Sequence, residues 1–126
     1  MANLNASPYI FPADQPTVIA AVAVTGNHFV KVAAGGVGNR PKVIPCSANT
    51  DIVLGVSMTS AAAATSLGLW RDGVVPVFAT AALTAGDGVW PDGTGGAVVG
   101  GAGRPWGVCV ADTAAGDNAP IALMIG

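Results

Sequence analysis

The sequence predicts an all-β domain, a small barrel or sandwich, and three observations carry that prediction. Short apolar runs recur at intervals of roughly 8 to 12 residues, the spacing of strands in such folds. Corners rich in Gly, Asn and Asp separate them, in a chain with 18 Gly and 9 Pro among its 126 residues. All seven acids are Asp and none is Glu. Asp favours turns where Glu favours helix interiors, so the acids are expected at corners.

The first segment, residues 1–16, reads as an extended N-terminal arm, and residues 17–126 as the β-domain. Pro8, Pro12 and Pro16 break any regular element, and Asn3, Asn5, Ser7 and Asp14 are loop formers. Pro8, Tyr9, Ile10, Phe11 and Pro12 form an apolar hook bracketed by prolines. Prolines extend the backbone in advance and lower the ordering cost of binding. The hook is therefore the candidate contact with a partner or a neighbouring subunit; a tail folded back on its own domain is the alternative.

Thr17–Thr25 is β-branched and Ala-rich and ends at Gly26-Asn27, which predicts a strand and a turn. His28–Val32 alternates as a half-buried strand does. Gly35–Asn39 is a flexible corner, and Lys42–Cys46 a short strand whose Pro45 suggests a sheet edge. Asp51–Met58 reads as a strand throughout. Ser60–Ser66 has four alanines but is too short for an isolated helix; a loop with a helical turn or a poor strand fits equally. Leu67–Trp70, Val74–Thr80, Gly88–Trp90, Ala97–Val99, Trp106–Ala111 and Pro120–Ile125 bring the count to about ten strands. Arg71-Asp72-Gly73 is a turn of the hairpin sort. Gly86-Asp87 and Gly116-Asp117 each provide a positive-φ corner that launches the next strand. Asp92–Gly96 is a further hairpin signal. A weak internal echo links Leu54-Gly55-Val56-Ser57 to Trp106-Gly107-Val108-Cys109, each followed by alanines. Glycine inside a strand marks a bulge or a sharp barrel corner.

Composition narrows function. Only 10% of residues are charged while 52% are hydrophobic, and about 25% charged is usual for soluble domains. No apolar run approaches the 18 or so residues of a membrane helix. A charge-poor chain with no such run is expected to bury surface against partners. The five basic residues, Lys31, Arg40, Lys42, Arg71 and Arg104, are scattered, so the basic stripe of a nucleic-acid binder is missing. The N-terminus lacks the layout of a signal peptide, which predicts synthesis in a cytoplasm. Cys46 and Cys109 are accordingly expected as buried free thiols, with a disulfide as the alternative.

No constellation of catalytic residues emerges. His28 is the single histidine and has no nucleophile in a recognisable context. Asp87 and Asp117 could form a carboxylate pair, but both follow Gly in turn sequences. The Gly93–Gly96 and Gly100–Gly103 runs lack the Gly-Lys-Ser/Thr ending of a phosphate loop. One His and two isolated Cys do not make metal-ligand spacing. Trp70, Trp90 and Trp106 are expected in the core or at a subunit contact, with sugar stacking as the alternative. The expectation is a binding protein and not an enzyme, with no cofactor and no metal.

Gly55-Val56, the alanine-rich link, Asp72–Val77, Leu83–Trp90, Gly107–Ala111, Ala114–Asp117 and Ile121–Ile125 together resemble the capsid cement (decoration) proteins of tailed bacteriophages. The resemblance spans roughly Ile52–Gly126. It implies a small β-barrel or β-tulip-like domain on the outside of the head, trimeric, bound to the major capsid protein and stabilising the mature shell in the virion. The alternatives are another virion part (a head fibre base or a tail-tube subunit) or a carbohydrate-binding β-module.

Overall fold

In the computed structural model, residues 17–37 and 40–125 are described. The arm, with Pro8, Tyr9, Ile10, Phe11 and Pro12, lies outside the described residues. Ten strands and no helix are found among them. They are β1 (Thr17–Ala20), β2 (Phe29–Val37), β3 (Arg40–Pro45), β4 (Gly55–Ser57), β5 (Ser66–Trp70), β6 (Val74–Phe78), β7 (Gly88–Pro91), β8 (Ala97–Val98), β9 (Gly107–Cys109) and β10 (Asn118–Leu123). The small all-β barrel expected from the sequence is present. Strands β1-β3-β2-β4-β5 close into a barrel, and β6-β10-β9-β7-β8 form a second five-stranded sheet.

The two sheets are the same structure built twice. Reading β1 to β5 against β6 to β10, the order of hydrogen-bonded neighbours is identical, and so is the register. Val30 faces Gly55 in the first module as Val89 faces Gly107 in the second. Val18 faces Leu67 as Val77 faces Ala119, and Val32 faces Val43 as Pro91 faces Ala97. The parallel β1–β3 pairing that closes the barrel through Ala20 and Val43 is reduced in the second module to one parallel bridge, Ala79 to Ala97. Loop bonds repeat as well. The Leu54 N–H donates to Val30 O as the Trp106 N–H donates to Val89 O, at 2.8 and 3.0 Å. The antiparallel bridge Val24–Ala61 recurs as Leu83–Thr113. The Leu54–Ser57 and Trp106–Cys109 echo in the sequence falls on these equivalent positions.

The cores repeat in the same way. Val18, Ala20, Val24, Val30, Val43, Leu67 and Leu69 fill the first barrel. Their counterparts Val77, Ala79, Leu83, Val89, Ala97, Ala119 and Ile121 all belong to the second core. That second core also takes in Phe29, Cys46, Val53 and Val56 from the first module, so one apolar cluster spans both. Phe29 and Val30 are adjacent and both fully buried. Consecutive strand residues point to opposite faces, so one side chain fills each core.

Several strand expectations are corrected. Asp51–Leu54 is loop and only Gly55–Ser57 is strand. The Asp51 carboxylate accepts the N–H groups of Ser47 and Ala48 at 2.7 and 3.0 Å, which folds the chain back before β4. The first strand stops at Ala20 and not Thr25. The Gly35–Asn39 corner is entered from strand: β2 runs on through Gly35 and Gly36, with a register shift between Ala33 and Val37. β3 is no edge, since it pairs with both β1 and β2, and Pro45 is its last residue. Arg71-Asp72-Gly73 does not close a hairpin. It joins β5 in one sheet to β6 in the other, because turn chemistry reverses the chain without choosing which strands pair. Ser60–Ser66 is a loop up to the first residue of β5, with Ala61 bridged to Val24.

Both Gly-Asp corners form as expected, with Gly86 at φ 95° and Gly116 at φ 91°. Their counterparts in the first module are Asn27 and Ala64, the two non-glycine residues with positive φ (61° and 68°) among the described residues. The hydrogen bonds keep the corner in place: Ala64 N–H donates to Ala20 O at 2.7 Å and Gly116 N–H to Ala79 O at 2.7 Å. Alanine in the left-handed region costs roughly 1–2 kcal/mol. Ala64→Gly is therefore expected to stabilise the fold by about 0.5–1 kcal/mol, after the extra unfolded-state entropy of glycine is subtracted. A urea titration showing a higher midpoint at unchanged slope would record it; an unchanged or lower midpoint would refute it.

Candidate attachment surface

The polar side chains singled out in the sequence are committed to building loops. The Asp87 carboxylate accepts the Thr84 N–H at 2.8 Å, and the Asp112 carboxylate accepts the Ala85 N–H at 2.9 Å. Asp117 lies in the turn before β10, exposed. Asp92 takes three bonds on one oxygen, from the Thr94 N–H and hydroxyl and the Gly96 N–H. Burial acts to raise its pKa, but these bonds and one from the Thr80 hydroxyl outweigh it, and the carboxyl is held below its ordinary value. Asp51 is also lowered, first by the Ser47 N–H and, against some desolvation, by Lys31 and the Ala48 N–H. The Lys31–Asp51 ion pair is 2.9 Å long. The carboxylates of Asp51, Asp87, Asp92 and Asp112 each hold a turn or loop together, and no group of three or more His, Cys, Asp or Glu that could hold a metal occurs among the described residues.

His28 sits at the joint between the modules. Its Nδ1 lies 2.7 Å from Gly26 O, and its ring stacks on Phe78 with centroids 5.3 Å apart. Cys46 and Cys109 are free and buried, as expected from the sequence. Burial, with Asp51 adding to it and Lys31 opposing it, pushes the Cys46 thiol up to about 12, so it has little thiolate with which to react. Trp70 and Trp106 are half-buried against the larger core. Trp90 donates its Nε1–H to Ala102 O at 3.2 Å beneath the Gly100–Gly103 loop. Gly101 lies so close to this ring that a β-carbon there would overlap it. All three tryptophans therefore contribute to packing.

What the surface offers instead is apolar. Val22, Val32, Ile52, Val74, Val99, Val110 and Met124 are exposed. Ile52 is 77% exposed and Val32 61%, and the two share an open depression of about 480 Å³ with Lys31, Thr50 and Asp51. Reading Asp51–Met58 as one strand hid Ile52. The signal that would have found it is the turn-forming run Ser47-Ala48-Asn49-Thr50-Asp51, which puts Ile52 beside a corner and not in a sheet.

The modules meet through a short list of contacts. Phe29 N–H donates to Gly95 O at 2.7 Å and Phe78 N–H to Asn27 O at 2.8 Å. Gly95, in the β7–β8 turn, lies against Phe29 O, the His28 Cβ and Cys46 N, so closely that a side chain would overlap the carbonyl. Asn49 Nδ2 reaches Gly100 O at 3.4 Å.

No protein-family model matches this chain, and no curated protein matches it. Among solved structures it is similar to the head fibre gp8.5 N base of bacteriophage phi29. The TM-score is 0.74 at 17% identity, over 87% of this chain and 92% of that one. At that identity the likeness is one of fold.

Proposed function

We propose that this chain is a structural protein of a tailed-bacteriophage head, bound on the outer surface of the shell, and that it works by attachment and not by catalysis. The observation that carries the reading is the fold shared with the phi29 head fibre base over nearly the whole of both chains. The sequence phrases that resemble capsid cement proteins, read independently of any structure, point to the same place in the virion. Composition agrees: a chain with 10% charged residues and an apolar surface is suited to being covered. Asp51, Asp87, Asp92 and Asp112 are spent on turns and loops, and both thiols on the core.

In this reading the partners are the major capsid protein and further copies of the chain, as a trimer. Residues Pro8, Tyr9, Ile10, Phe11 and Pro12 supply the grip. An extended arm can add to an exposed strand edge and gain both backbone bonds and register. Several arms on one oligomer bind far more tightly than one, through effective concentration alone. Removing residues 1–16 is expected to weaken co-sedimentation with purified heads by roughly 10²-fold or more if avidity operates. The β-domain should keep its far-ultraviolet spectrum. Undiminished capsid binding by the truncated chain would remove the arm's role; binding of the intact chain to tails but not to heads would sink the assignment.

A second reading follows from the same neighbour: the domain is the base of a head fibre. Decoration and fibre base separate in one measurement. If the chain stabilises the shell, heads lacking it release their genome at a lower temperature. If it only carries a fibre, the release temperature does not move.

A further inference from the structure

We infer that copies of this chain associate head to tail, by repeating between chains the contact that joins its own two modules. The accepting surface is the lip of the first barrel at Val32 and Ile52, and the occupant is the β8–β9 loop region of a second copy's second module. The inference rests on the internal repeat and not on the assignment to a phage head.

Equivalent positions in the two modules have unequal surroundings. In the second module the first module sits on the β7–β8 hairpin: Gly95 lies against His28, Phe29 and Cys46, and Gly95 and Gly96 are buried. Pro91, on the same hairpin, is fully buried. In the first module the matching hairpin is β2–β3, and the residue equivalent to Pro91 is Val32, which is 61% exposed. Pro41 and Lys42, the counterparts of Gly95 and Gly96, are only half-buried. One hairpin is seated, and among the described residues its twin is open at Val32, with exposed Ile52 beside it.

The opposite surface is unequal in the reverse sense. The first module presents His28, Phe29, Cys46 and Asn49 to the second. Counted on from the paired strands, the counterparts of His28, Phe29 and Cys46 on the second module are Asp87, Gly88 and Gly100, and the Gly101–Gly103 run stands in place of the loop that carries Asn49. There Gly100, Gly101, Ala102 and Gly103 are exposed, as is the adjoining Val99. Among the described residues, one lip therefore has no module seated on it, and the β8–β9 loop, apart from the Asn49 bond to Gly100 O, is presented to no module either. A contact between different patches propagates, and it gives a closed ring when the rotation returns on itself and an open chain when it does not. A two-fold dimer, by contrast, would pair each patch with itself.

Cysteine pairs and a short thiol–thiol crosslinker test this on the full chain, because native Cys46 and Cys109 are buried. Val32→Cys alone and Val99→Cys alone are expected to give no crosslinked species, and an equimolar mixture to give covalent dimers. The double variant should give a ladder ending at the mass of the assembly found by light scattering. Val32→Asp with Ile52→Asp should reduce that assembly to monomer while leaving the circular dichroism and urea midpoint unchanged. A wild-type chain that is monomeric up to millimolar concentration would overturn the inference. So would Val32→Cys crosslinking to itself as readily as to Val99→Cys. The two readings fail separately: a monomer that binds heads would sink head-to-tail association and the trimer while leaving attachment to the head standing, and rings without capsid affinity would sink only that attachment.

Discussion

Phe29→Ala is expected to cost 3–5 kcal/mol, the range for emptying a buried aromatic site. Phe29 is completely buried, and although it begins β2 of the first barrel, its ring belongs to the core centred on the second. Its backbone N–H also donates across the joint to Gly95 O. The cavity would therefore open at the one place where a single apolar cluster spans both modules. Small domains retain roughly 5–15 kcal/mol in total, so the loss is a large share of what holds the fold. Beyond the lower midpoint, the variant is expected to unfold less cooperatively, with the two modules melting apart. Coincident loss of tryptophan fluorescence and far-ultraviolet signal at an unshifted midpoint would contradict this account.

Gly55→Val and Gly107→Val are expected to be comparably damaging, each by about 3 kcal/mol, from overpacking against the backbone and side chains of the adjoining strand. The two glycines occupy the same place in the two modules, one opposite Val30 and the other opposite Val89. A β-carbon on Gly55 would come within 2.8 Å of Trp70 O, which is backbone. One on Gly107 would come within 2.4 Å of the Ile121 Cγ2 and 3.0 Å of Ala122 O. In each module the paired neighbouring strand, β5 or β10, supplies the close atoms. Gly73, by contrast, has nothing within 4 Å of its β-carbon direction, so Gly73→Val tests crowding against chain conformation. It should suffer only the strain of its positive φ. Urea unfolding of the three variants separates the explanations: equal losses at all three would show that backbone freedom, and not close approach, is what the strand glycines provide.

The repeat explains why the sequence was only partly legible. Phrases that set local geometry were readable: Gly86-Asp87 and Gly116-Asp117 make the corners expected of them, and each strand expected between Thr17 and Ile125 has a counterpart among the described residues. The Gly55 and Gly107 echo was also readable, because a close backbone approach accepts no other residue. The remainder of the repeat was hidden, since Asn27 and Ala64 stand where the second module has Gly86 and Gly116. The β2–β3 hairpin is also longer than β7–β8, which shifts the frame between equivalent strands. Pairing register survives such changes; fixed sequence spacing does not. The attachment surface was less legible still. Val32 and Val89 look alike in sequence, as do Ile52 and Val53, and only the three-dimensional neighbours decide which of each pair is covered.

The sequence by itself determined an all-β chain of short strands, corners occupied by Gly, Asn and Asp, and two thiols destined for the interior. Each of these follows from preferences within a few residues of chain, where side-chain branching, φ and local hydrogen bonding decide. Only the tertiary structure decided that Arg71-Asp72-Gly73 joins two modules instead of closing a hairpin, that one module seats on the other, and that no other described residue covers Val32 and Ile52. Those outcomes depend on which distant strands meet, and burial of shared apolar surface makes that choice without leaving a mark in the residues on either side of a turn.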